Sequence, residues 1–126
     1  MYVFFEDAGK FMAGRIMSEA EASAQVELDS GKRVKVKSAH MLLKFDKPAP
    51  AVLLSDATAL SQTIELELAY ECAPEEEFGF GDLAKDYFSN NASTTEQVAA
   101  LLRLHEAPHY FRRGGAKGRF KKAPAE

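Results

Sequence analysis

Over the first 47 residues the apolar positions fall in short runs and alternations that predict strands. Tyr2-Val3-Phe4-Phe5-Glu6 is an aromatic and β-branched run, Asp7-Ala8-Gly9-Lys10 supplies turn chemistry, and Phe11 to Met17 returns as a second strand. Gly14 sits inside that strand, where a barrel would bend. Next, Ala24, Val26 and Leu28 alternate with Gln25, Glu27 and Asp29. Asp29-Ser30-Gly31-Lys32 then turns the chain, and Val34 and Val36 alternate with Arg33, Lys35 and Lys37. One face of this pair is apolar and the other basic. Ser38 to Phe45 is expected as a closing turn and last strand. Short strands joined by tight turns, with too few residues for a sandwich, predict a small SH3-like β-barrel over residues 1–47.

Asp46-Lys47-Pro48-Ala49-Pro50 breaks the pattern, because the residue before each proline is pushed out of the helical region. The period then changes. Leu53, Ala57, Leu60, Ile64 and Leu68 recur at helical spacing and predict one amphipathic helix over residues 51 to 71, ended by Pro74. Phe78, Leu83, Tyr87 and Phe88 suggest a shorter helix over about residues 80 to 89, with Phe78-Gly79-Phe80-Gly81 as a buried aromatic turn before it. Ser93 with Glu96 three residues on is a capping box, and Val98, Leu101, Leu102 and His105 follow as one face until Pro108. His109 to Lys122, with Gly114-Gly115-Ala116-Lys117-Gly118 at its centre, reads as a β-hairpin. Three helices followed by a hairpin is the element order of a winged helix, expected over residues 51–126. The fold class is therefore α+β.

Composition narrows the classes without naming one. The chain has 126 residues, 46% of them hydrophobic and 28% charged, which is an ordinary folded composition and too short for large catalytic architectures. The single Cys72 and the absence of a basic then apolar leader point to a reducing, cytoplasmic setting. No stretch is long enough to span a membrane.

Net charge is −3, but the charges are sorted. Glu65, Glu67, Glu71, Glu75, Glu76, Glu77, Asp82 and Asp86 face a single base, Lys85, whereas Arg112, Arg113, Lys117, Arg119, Lys121 and Lys122 stand together without an acid. Because charges act within a Debye length of about 10 Å, the sum conceals a basic segment interleaved with Tyr110, Phe111 and Phe120. Arginine and lysine would neutralise phosphates, and exposed aromatics would stack on bases. The expected nucleic-acid-binding residues are these nine, joined by Arg33, Lys35 and Lys37.

Other motifs dissolve on inspection. His105-Glu106-Ala107-Pro108-His109 has the zinc-helix spacing, but Pro108 bars the shared helix that the two imidazoles need. Gly79-Phe80-Gly81-Asp82-Leu83-Ala84 matches a loose dinucleotide pattern, yet Pro74 and three glutamates precede it where a buried strand should. Gly114 to Gly118 lacks the spacing of a phosphate loop, Cys72 has no partner for nucleophilic chemistry, and Glu75 to Glu77 point in different directions and build no cation cage. No catalytic residue, metal ligand set or cofactor site is expected.

Tyr2-Val3-Phe4-Phe5-Glu6, Val26-Glu27, Ser30-Gly31-Lys32-Arg33, Leu42-Leu43-Lys44-Phe45-Asp46, Leu101-Leu102-Arg103-Leu104-His105 and Lys117-Gly118-Arg119-Phe120-Lys121-Lys122-Ala123-Pro124 together resemble the N-terminal region of a bacterial branch of RNase II-like (RNB family) exoribonucleases. The resemblance covers nearly the whole chain. It implies a parent that hydrolyses single-stranded RNA from 3′ to 5′ with Mg²⁺ held in an RNB catalytic domain, and no aspartate cluster of that kind is present here. The chain is then expected to be a piece of that parent, noncatalytic and guiding single-stranded RNA to the catalytic domain. The alternative is a protein interaction module that docks a partner or that domain.

Overall fold

Turn chemistry opens the first sheet. Ala8 and Gly9 both take positive φ, 51° and 80°, and place Asp7 opposite Lys10, which is the primed two-residue turn whose twist suits an antiparallel hairpin. A computed structural model describes residues 1–124 of the chain. Strand β1 (Tyr2–Asp7) pairs through this turn with β2 (Lys10–Glu19), which pairs with β3 (Ser23–Glu27), which pairs with β4 (Arg33–Lys37). A 3₁₀ turn at Ser38–His40 then leads to β5 (Met41–Phe45), which returns to the far side of β1. All pairings are antiparallel, in the order β4-β3-β2-β1-β5. Among the described residues no ladder joins β4 to β5, so hydrogen bonding does not close the sheet into a barrel.

Curvature has a local cause at Gly14. A Cβ there would lie 2.6 Å from the Glu27 carbonyl oxygen and 2.6 Å from Val26 Cγ1, so β2 can approach β3 this closely only without a side chain. The β2–β3 register also slips between Ile16 and Ser18. Alternation delivers Val3, Phe5, Ala24, Val26 and Val36 to one buried cluster, with Met12, Ile16, Leu28, Val34 and Met41 packed at its margin. On the opposite face of β1, Phe4 is also buried and its ring stacks on Phe11 at 5.7 Å.

The chain divides into two compact units, Met1–Leu54 and Ser55–Glu126, the division falling within α1 (Pro50–Ser61), just after the proline-rich segment. The single helix expected over 51 to 71 is two, α1 and α2 (Leu66–Cys72). Hydroxyls explain the break. Ser61 Oγ donates to the Thr58 carbonyl at 2.7 Å and Thr63 Oγ1 to the Leu60 carbonyl at 2.7 Å, so side chains bind carbonyls that the next helical turn would use. Periodicity survives to Ile64 and fails afterwards: Leu68, expected on the apolar face, is 44% exposed, while Ala69 is buried.

Phe78–Gly79, expected as an aromatic turn, is a short strand, β6, followed by α3 (Phe80–Tyr87) and α4 (Thr94–His105). The capping box at α4 forms as expected, with the Glu96 amide donating to Ser93 Oγ at 3.1 Å and the Ser93 amide to Glu96 Oε1 at 2.8 Å. The buried face of α4 is Val98, Ala99, Ala100, Leu101 and Leu104; Leu102 is half-buried, and His105 is exposed rather than part of that face. The hairpin strands are β7 (Phe111–Arg113) and β8 (Arg119–Lys122), and β6 adds to β8 to give a second sheet of order β6-β8-β7.

Candidate nucleic-acid interface

The register of the second sheet sorts the expected site residues by face. Phe78 lies opposite Phe120, Arg113 opposite Phe120, and Phe111 opposite Lys122, whereas Arg112 lies opposite Lys121 and Gly79 opposite Arg119. Phe111 and Phe120 are 2% and 3% exposed, which removes them as stacking surfaces for bases. They are core. The Phe111 ring meets Phe78 edge-on at 6.0 Å and Tyr70 at 5.9 Å, and the Tyr70 hydroxyl donates to the Ala123 carbonyl at 2.7 Å, tying α2 to the end of β8. Tyr110, half-buried, packs on Tyr70 at 6.1 Å.

The bases divide as well. Lys122 shares the inner face with Phe111; its ammonium lies 3.1 Å from Glu75 Oε1 and 4.9 Å from the Tyr70 ring centroid, and its side chain is only 11% exposed. That geometry joins two parts of the fold and leaves little of Lys122 for a ligand. Arg119 is held by Glu77. Its Nε donates to Glu77 Oε2 at 3.2 Å and its Nη2 to the Glu77 carbonyl at 3.4 Å, while the Gly115 amide at the hairpin tip donates to Oε1 at 3.0 Å. The hydrogen bond donated by the Gly115 amide, then that from Arg119, holds the Glu77 carboxyl below the usual carboxylate range. Gly114 permits the arrangement, since a Cβ there would lie 2.7 Å from Glu77 Oε1 and 2.9 Å from Arg119 Cβ. Arg113 and Lys117 have contacts of their own.

Arg112 and Lys121 differ from the rest. Both are exposed, they face each other across β7 and β8 on the same side, and no carboxylate among the described residues forms an ion pair with either. Like charges directly opposite in a sheet repel, so the fold tolerates this juxtaposition at a cost.

The sorted charge of the sequence is thus not sorted in space. Glu75 and Glu77, expected as part of a solvated acidic stretch, fold against the basic hairpin. Sequence reading missed Glu77 because its partners lie 38 and 42 residues away and follow from a strand, β6, too short to be read from periodicity.

In the first unit, Arg33, Lys35 and Lys37 project from edge strand β4 on the side away from Val34 and Val36, as alternation predicts. Arg33 shares Glu27 with Arg15, at 3.7 and 3.3 Å. Lys35 and Lys37, opposite Gln25 and Ser23, line a shallow cavity of about 410 Å³ with Ala22, Ser23, Ser38 and Ala39.

The rejected motifs have structural counterparts. Helix α4 ends at His105, so His109 lies beyond it, and among the described residues no cluster of three or more His, Cys, Asp or Glu could hold a metal. At Gly79 the backbone amide donates to Asp82 Oδ2 at 3.0 Å, so a carboxylate already occupies the first turn of α3. Cys72 is half-buried, and no helix among the described residues is long and apolar enough to cross a membrane. Comparison of the chain with protein-family models, with curated proteins and with solved structures finds no match in any of the three.

Proposed function

We propose that this chain is a noncatalytic RNA-binding module, the N-terminal part of an RNase II-like 3′ to 5′ exoribonuclease whose Mg²⁺-dependent catalytic domain lies outside it. The observation that carries the reading is the exposed cross-strand pair Arg112 and Lys121 on one face of the hairpin sheet. Such a pair suits a polyanion, whose phosphates relieve the repulsion between the two bases and release counterions.

Two architectural readings support it. Helices α2, α3 and α4 with β6, β7 and β8 interleaved, and a sheet of order β6-β8-β7, have the element order of a winged helix in which the Gly114–Gly118 loop is the wing tip. In the first unit, five short antiparallel strands with a 3₁₀ turn before the last suit a partly open SH3-like barrel. The exposed side of its edge strand β4 carries three bases, Arg33, Lys35 and Lys37.

The test is retention of a fluorescent single-stranded RNA by the 126-residue chain as salt is raised. Binding that weakens steeply with salt, and is abolished by charge reversal at Arg112, Arg113, Arg119 and Lys121, is the expected result. Binding unaffected by that reversal removes the hairpin as the site. Absence of RNA retention together with cross-linking to a protein partner favours the interaction-module reading, in which the acidic α2 surface around exposed Leu68 docks a basic partner.

A further inference from the structure

We infer that the hairpin sheet carries a site for two phosphates of a single-stranded backbone, one at Arg112 and one at Lys121, from which Arg119 is withheld by Glu77. The inference rests on the RNA-binding reading and says which of the six bases of the segment touch the backbone.

Register places Arg112, Lys121 and Arg119 on one face, with Arg119 two residues from Lys121 along β8. Three positive groups on one face would ordinarily act as one patch. They do not here, because the Arg119 guanidinium is spent on Glu77: Nε donates to the carboxylate and Nη2 to the main-chain oxygen of the same residue. The carboxylate is fixed in turn by the Gly115 amide at the wing tip. A phosphate approaching Arg119 must displace a carboxylate that is already bound by two donors from two parts of the hairpin. At Arg112 and Lys121 it displaces only water and counterions.

Gly79 bears on the same point. It faces Arg119 across the ladder and offers no side chain, and a Cβ there would be 3.7 Å from Arg119 Nη1, so the guanidinium lies over bare backbone toward β6 and away from β7. Arg119 keeps 43% of its side chain exposed, so its hydrogen bonds to Glu77, and not burial, set it apart from Arg112 and Lys121. Lys121 lies within electrostatic reach of Glu77 but forms no ion pair with it.

The experiment is the salt dependence of affinity for a twelve-residue oligouridylate, measured on the whole chain. Replacing both Arg112 and Lys121 by Gln is expected to reduce the magnitude of the slope of log K against log salt by about 1.4, two phosphate contacts at about 0.7 each for a single strand. The double change Glu77→Gln with Arg119→Gln is expected to leave the slope as in the native chain. Glu77→Gln alone frees Arg119 and is expected to increase the slope by about 0.7. A slope that falls by about 0.7 in the Glu77→Gln, Arg119→Gln variant shows that Arg119 contacts RNA and overturns the inference, as does an unchanged slope in the Arg112→Gln, Lys121→Gln variant.

If the native chain binds no RNA, titration with inorganic phosphate decides the remainder. Amide shifts at residues 112 and 121 that vanish in Arg112→Gln with Lys121→Gln keep the phosphate site and discard the RNA reading; no such shifts discard both. Should Glu77→Gln disturb folding, seen as loss of amide dispersion, the Arg112 and Lys121 arm still decides.

Discussion

Two basic stretches of this chain look alike on paper and differ in the fold. Arg33, Lys35 and Lys37 alternate along an edge strand whose opposite face is buried, and only Arg33 meets an acid, Glu27, on the neighbouring strand. The hairpin carries twice as many bases, yet Glu77 and Glu75, from the acidic stretch, take Arg119 and Lys122. On β4 the one ion pair among the described residues, Arg33 with Glu27, is set by strand alternation within a single hairpin. In the second unit a base's partner is set by which distant segment joins the sheet, so counting charges along the chain overstates what the hairpin offers a ligand.

That contrast can be broken at several points. The largest effect is expected at Phe111, whose role separates core from interface. Phe111→Ala should destabilise the second unit by about 3 to 5 kcal/mol in urea unfolding, since it deletes a ring packed between Phe78 and Tyr70. Unchanged stability with weakened RNA binding would return Phe111 to the interface.

Two glycines sharpen the comparison next. Gly14→Ala drives a Cβ into the Glu27 backbone oxygen and should cost about 1 to 3 kcal/mol, because β3 cannot step aside without losing its ladder. Gly114→Ala meets chiefly the movable end of Glu77, so a smaller loss of stability is expected, together with loss of the Gly115 amide's downfield shift as the carboxylate is displaced. Equal losses for the two variants would mean that Glu77 is not the group displaced at the hairpin tip.

The Glu77 link to the hairpin tip should also depend on pH. Its carboxyl is held below the usual range in the folded chain, so its contribution is complete above the unfolded-state value and is lost as pH falls through the lower folded value. The Gly115 amide shift, followed by NMR, should titrate with a midpoint below that of an ordinary glutamate. A midpoint at the ordinary value would mean that Glu77 is not bound as described.

The smallest effect lies at the first hairpin. Ala8 holds φ at 51°, which costs a residue with a Cβ about 1 kcal/mol, so Ala8→Gly or Ala8→Asn should raise stability by up to about 1 kcal/mol. A fall in melting temperature for both would show that the turn is not strained.

Much of the secondary structure was legible in the sequence because it is decided within a few residues. The Asp7–Lys10 turn, the alternation at Val34 and Val36, the Ser93 and Glu96 capping box and the hairpin around Gly114 to Gly118 all depend on neighbours in the chain. The break after Ser61 was missed because periodicity counts apolar positions and ignores hydroxyls that bind carbonyls. Strand β6 was missed because two residues carry no period. Pairing made the rest. Which of the hairpin's aromatics are core, which of its bases are neutralised, and which two remain exposed together follow from β8 being flanked by β6 and β7. Sequence alone determined that a basic, aromatic hairpin exists. Tertiary structure decided that Arg112 and Lys121 are its open charges, because a carboxylate 42 residues before Arg119 is brought within hydrogen-bond reach of it only when the chain folds.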